Sequence, residues 1–230
     1  MITGYTGSGG NVSIPAAIDG VSVTAIGNNA FRNRGITSIT IPNSVITIGE
    51  SAFAYNNLTS VTIPNSVTHI GWFAFMDNLL LTSVTIGNSV THIGLGAFRS
   101  TNNLGQIANL TIGNSVQTIG AEAFINNQLT NVIIPNSVTH IGIGAFYQNQ
   151  LTNVSIPNGV THIEDGVFSR NPLTSIRIGN GSMTIFDWWG DPMGDHHRQF
   201  MDVWDALSAT PAARVGLWTF NAGTDTWIAP

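Results

Sequence analysis

The sequence predicts a repeat solenoid, a curved stack of about eight coils built mainly of short parallel strands, and three observations predict it. The segments LTSVTIPNSVTHIG, LTSVTIGNSVTHIG, LTNVIIPNSVTHIG and LTNVSIPNGVTHIE recur almost unchanged. Phe31, Phe53, Phe75, Phe98, Phe124, Phe146 and Phe168 follow one another at 22, 22, 23, 26, 22 and 22 residues, a period in the range of stacked supersecondary units. Only 8% of the 230 residues are charged while 43% are apolar, which fits an extended core clothed in Asn, Ser, Thr and Gly.

The first coil keeps the spacing of Ile14, Val23, Ile26, Ala30 and Phe31 but inserts AAIDG, where Asp19 and Gly20 suit a tight hairpin turn. It reads as an amino-terminal cap over residues 1–35. In the units that follow, residues 36–185, Leu58, Val61 and Ile63 alternate with Ser60 and Thr62, the period of two expected of a short strand with one buried face. Pro64, or Gly87 and Gly113 in its place, ends that strand. Val67 and Ile70 mark a second extended segment, Gly71 is expected to permit a turn, and Ala74 with Phe75 returns the chain over the core. The 26-residue interval carries a loop insertion, STNNLGQ. Such a coil buries about seven apolar side chains at roughly 1.5 to 3 kcal/mol each, against roughly 1 to 2 kcal/mol of backbone entropy for every residue ordered. Alone it does not fold, and stacking is what stabilises it.

Asn56, Asn78, Asn127, Asn149 and Asn171 each fall three residues after a repeat Phe. They are expected to form a buried amide ladder that satisfies the irregular backbone of the turns. From Ser182 the pattern frays, and WWG replaces AF. Residues 186–230 are expected to be a cap that covers the last coil. HHRQFMDVWDALSAT places Phe200, Val203, Trp204 and Leu207 at helical spacing before Pro211, and VGLWTF, NAGT and DTWIA read as a hairpin carrying Trp218 and Trp227.

On these residues the chain resembles the BspA-like leucine-rich-repeat family of bacterial surface proteins, whose unit reads LxxVxIPxxVxxIGxxAFxxC. The likeness runs from residue 12 to about 185, with Asn where that family often has Cys. It implies a leucine-rich-repeat solenoid, display on the cell surface or secretion, and roles in adhesion or protein binding.

A net charge of −5 with seven Lys plus Arg leaves no basic stripe for nucleic acid. No stretch approaches the roughly 18 consecutive apolar residues of a membrane span, and Met1 is followed by ITGYTGSGG with no leader pattern visible. Zero cysteines exclude disulfides and thiolate chemistry.

Two groups of residues invite a chemical reading. Asp187, Asp191, Asp195, His196 and His197 cluster within residues 187–197, a composition suited to a metal or to acid and base work. No HExxH spacing is present, and Asp in a Gly-Pro loop is ordinary turn chemistry. His69, His92, His140 and His162 occupy one repeat position, so stacking brings them together in pairs that either hold a metal or form a polar ladder copied by duplication. The ladder is the favoured reading, because no third ligand accompanies it. There is no GxSxG elbow and no Cys nucleophile. No catalytic residues, metal or cofactor are expected.

The expectation is therefore a binding scaffold for a protein or glycan, possible assembly with copies of itself included. Trp72, Leu95 and Ile143 follow the repeat Gly, while Met76, Ile125 and Tyr147 follow the repeat Phe, large apolar side chains where the core does not need them. The outward strand columns, among them Ser60, Thr62, Ser83, Thr85, Asn131 and Asn153, offer a small polar face. Two alternatives stand beside this: a metal-binding or hydrolytic protein centred on residues 187–197, and polysaccharide or ice-lattice binding by the Thr columns that include Thr59, Thr82, Thr152 and Thr174.

Overall fold

A computed structural model describes residues 1–179 and, beyond them, the backbone of Thr184–Ile185, Gly216–Asn221 and Thr226–Ile228. The described chain is a parallel β-solenoid in which each coil contributes up to two short strands. The second strands make an unbroken eight-stranded parallel sheet, from Ala25–Ile26 through His69–Ile70 and His92–Ile93 to Thr184–Ile185. The register is one whole repeat: Ile48 lies beside Ile70, and Ile70 beside Ile93. The first strands pair in separate ladders, Gly10–Ser13 with Ile36–Thr40, Ser60–Ile63 with Ser83–Ile86 and Asn109–Thr111, and Asn153–Ile156 with Ser175–Ile178. Residues 131–134, at the equivalent place, form no strand.

Because the second strands pair in register by whole repeats, equivalent side chains become columns. The seven phenylalanines form a continuous buried file, with rings 5.1 Å apart from Phe31 to Phe53, from Phe53 to Phe75 and from Phe75 to Phe98, and planes within 14° of parallel. The file continues through Phe124 and Phe146 to Phe168, with a widest step of 5.7 Å. A third line of backbone bonds runs beside it: Phe53 N–H donates to Ala74 O at 2.7 Å, Phe75 N–H to Ala97 O at 2.7 Å, and Phe98 N–H to Ala123 O at 2.8 Å.

The buried asparagines hold the turns as expected. Asn149 donates through Nδ2 to Phe124 O (2.9 Å) and Phe146 O (3.0 Å), while its Oδ1 accepts from Leu129 N (3.1 Å). One amide thus ties its own turn to the coil before it. Asn56, Asn78, Asn127 and Asn171 repeat the arrangement.

The role assigned to Gly71 needs correction. Its φ is not among the positive ones, and what excludes a side chain is the neighbouring coil, since a Cβ on Gly71 would stand 2.6 Å from Gly49 C. The left-handed backbone falls two residues later, at Ser51, Phe73, Gly96, Glu122, Gly144 and Gly166, and again beside the asparagines at Tyr55, Asp77, Asn126, Gln148 and Arg170.

At the amino end, Ala17–Ile18 and Val21–Ser22 pair antiparallel across Asp19 (φ 50°) and Gly20 (φ 78°), the two positive φ values of a type I′ hairpin. At the carboxyl end, Gly216–Asn221 pairs antiparallel with Thr226–Ile228, the expected hairpin, and also with Ser175–Ile178. It thereby takes the place of a further first strand and covers that edge. The expected helix around Phe200, Val203, Trp204 and Leu207 lies outside the described residues.

Candidate binding surfaces

The residue after the repeat Gly stands in a turn fixed by the coil before it. Trp72 O accepts from Ser51 N (2.8 Å), Leu95 O from Phe73 N (2.8 Å), Ala121 O from Gly96 N (2.8 Å) and Ile143 O from Glu122 N (2.7 Å). These four consecutive positions therefore present Trp72, Leu95, Ala121 and Ile143 as one strip across four coils. Trp72 is 59% exposed and Ile143 52% exposed, with Leu95 and Ala121 half-buried between them. Glu50 and Asp165 occupy the same position in the next coils at either end, so the apolar strip has acidic limits.

The neighbouring column after the Phe is less open. Met76, Ile125 and Tyr147 are half-buried. Arg99, between Met76 and Ile125, is ion-paired with Glu122, and the guanidinium of Arg170 lies 5.5 Å from the centre of the Tyr147 ring.

The polar strand face keeps the expected columns. Ser60, Thr62, Thr85, Asn131 and Asn153 are exposed and Ser83 is half-buried. Ser175 donates to Asn153. A depression of about 610 Å³ opens on this face beside Asn131, Ile133, Asn153, Ser155 and Arg177, with Ile133 76% exposed. It lies where residues 131–134 leave the strand ladder. In the Thr column, the Thr82 and Thr174 hydroxyls donate to Thr59 O and Thr152 O, each at 3.1 Å, so these hydroxyls already have partners in the stack.

The histidines meet in pairs. The His69 and His92 rings are stacked, 5.0 Å apart and 5° from parallel. His140 and His162 are 6.1 Å apart and tilted by 36°, with His140 Nε2 held 2.9 Å from Glu164 Oε1. Among the described residues no group of three or more His, Cys, Asp or Glu is arranged to hold a metal ion. The 187–197 cluster lies outside the described residues. Within them, no helix is long and apolar enough to cross a membrane.

Two features escaped the sequence reading. An exposed asparagine ladder follows the first strand, Asn65 Oδ1 accepting from Asn88 N (2.7 Å) and Asn88 Oδ1 from Asn114 N (3.1 Å); its signal was the repeated PNS or GNS triplet. Ile46 is exposed in a column otherwise holding Thr68, Thr91, Gln117, Thr139 and Thr161, visible in the sequence as one apolar residue among polar equivalents.

Comparison with known structures finds the same architecture. The chain is 27% identical to the leucine-rich-repeat protein TpLRR of T. pallidum, over 80% of this chain and 76% of that one, with a TM-score of 0.55. A leucine rich cell surface protein of Faecalibacterium prausnitzii is 26% identical over 81% of this chain and 71% of its own, with a TM-score of 0.47. No curated protein matches the chain. The model for the BspA type leucine rich repeat region matches six copies over residues 24–108 and 78–188. Those spans take in well over half of the sequence, and the chain belongs to the BspA-type leucine-rich-repeat family.

Proposed function

We propose that this chain is a non-enzymatic scaffold that binds a protein partner through the strip formed by Trp72, Leu95, Ala121 and Ile143. The observation that carries the reading is Trp72, a large aromatic side chain 59% exposed at a position the repeat core does not use. Exposed aromatics on a fixed backbone are the commonest anchors of protein interfaces. The four strip positions themselves carry no charged side chain, which fits a contact made by shape and apolar burial. Met76, Ile125 and Tyr147 would extend the contact on the adjacent column.

Repeat solenoids of this family are typically scaffolds, which supports binding over catalysis. The cell surface label of the F. prausnitzii protein and the family resemblance support display on the cell surface or secretion, and an adhesion role. Self-association through the same strip is the form this function takes if the partner is a second copy.

The test is a selection of protein binders from the source organism on immobilised chain, followed by binding to the Trp72→Asp/Ile143→Asp variant. Binders that lose at least tenfold in affinity, with the variant's circular dichroism and melting unchanged, support the reading. Equal affinity for both chains overturns it. The depression beside Ile133 favours a second reading, a glycan held by Asn131, Asn153 and Ser155; a glycan array that gives no signal sensitive to Ile133→Asp removes it.

A further inference from the structure

We propose that His69 and His92 form a surface site for one divalent transition-metal ion with imidazole preference, bridging two successive coils through their Nε2 atoms. The argument begins with the threonine that precedes each histidine. Thr68 Oγ1 lies 3.2 Å from Ile46 O and Thr91 Oγ1 lies 3.1 Å from Thr68 O. A carbonyl only accepts and a hydroxyl has one proton to give, so both contacts of each hydroxyl are hydrogen bonds at once only when that proton goes to the previous coil.

The same hydroxyl oxygens lie 2.9 Å from the Nδ1 atoms of His69 and His92. In that arrangement each oxygen accepts there and each ring carries its proton on Nδ1, which makes one hydrogen bond more than the opposite tautomer. In the neutral imidazole the lone pair is then on Nε2. Both residues are exposed, so in the neutral form two Nε2 lone pairs stand side by side at the surface, where a metal ion can reach them. A ligating histidine characteristically donates its other ring N–H to a fixed acceptor, and the threonine oxygens already supply it.

The backbone sets the spacing. His69 and His92 are register partners in the parallel sheet, and their rings lie 5.0 Å apart and 5° from parallel. Imidazole nitrogens bound to one ion at about 2.0 to 2.1 Å can be at most about 4.2 Å apart. Tilting the two exposed rings toward each other closes the difference, and water completes the coordination. Imidazole suits Zn²⁺, Cu²⁺ and Ni²⁺, with Cu²⁺ the strongest binder of the three. The other pair is built differently: His140 Nε2 faces the Glu164 carboxylate at 2.9 Å, which calls for a proton on that nitrogen. Its rings are also farther apart and tilted.

Calorimetric titration of the full chain with Cu²⁺ tests the proposal. The His140→Gln/His162→Gln/His196→Gln/His197→Gln background removes the other four imidazoles. One equivalent is expected to bind, with electron spin echo modulation from two imidazole nitrogens and a melting temperature that rises with added Cu²⁺. His69→Gln and His92→Gln should each lower affinity at least tenfold and remove one of the two nitrogen signals. Thr91→Val, which leaves the ligands in place and removes the Nδ1–H acceptor, should weaken binding about tenfold. Absence of saturable binding in the background chain, or binding unchanged by His69→Gln, overturns the proposal. So does a spectrum with a single imidazole. The protein-binding strip is on another column, so this result stands or falls apart from it.

Discussion

Replacing Asn149 by alanine asks whether the buried amide file is what holds the turns. Asn149 is 1% exposed, and the substitution removes the bonds its Nδ2 donates to Phe124 O, Phe146 O and, at 3.3 Å, Tyr147 O, and the one its Oδ1 accepts from Leu129 N. Each such bond is worth about 0.5 to 1.5 kcal/mol net, and a buried N–H left without a partner costs about 1 to 3 kcal/mol. These bonds share one side chain, so the contributions overlap, and the expected loss is about 3 to 5 kcal/mol. Urea unfolding reads the total. Hydrogen exchange at the Leu129 amide reads the cause, because that proton loses its acceptor while the backbone bonds of the next coils remain. A loss below about 1 kcal/mol with Leu129 still protected would refute the reasoning. A Gln128→Ala control, at an exposed side chain, should stay within about 0.5 kcal/mol of the parent.

Phe75→Ala interrupts the ring file where Phe75 is stacked 5.1 Å from both Phe53 and Phe98, and should cost about 3 to 5 kcal/mol by urea unfolding. Gly71→Ala forces a methyl group against Gly49 C and should destabilise by about 1 to 3 kcal/mol; a neutral result would mean that the coils can spread. Gln148→Gly relieves a non-glycine residue at φ 52° and should raise stability by about 0.5 to 1 kcal/mol. Light scattering across a concentration series should show any self-association of the parent chain abolished by Trp72→Asp, with the fold retained.

The periodic part of this molecule was readable because one repeat unit encodes both its strand pattern and its neighbour contacts. Phe53, Phe75, Phe146 and Phe168 could be placed in one file from spacing alone, and Asn149 from its distance to Phe146. Less readable were properties that arise only between coils. Gly71 looks like a turn residue in one copy of the unit, and its need for a bare Cα comes from Gly49 in the copy before. The Ser175 to Asn153 bond and the break at residues 131–134 depend on how neighbouring coils settle, which no single unit records. The candidate strip was legible as a list of large apolar residues. Its limits at Glu50 and Asp165, and the half-burial of Met76, Ile125 and Tyr147, required the stack.

The one-repeat register has a mechanical consequence. A chain pulled by its two ends loads the bonds at the terminal coil first, since no interior coil can leave before its neighbour on the outside. Extension would then proceed as a series of similar yields, each freeing 22 to 26 residues and lengthening the chain by roughly 70 to 90 Å. A molecule that gives way in steps spreads the work of a sudden tug over many small events along its length.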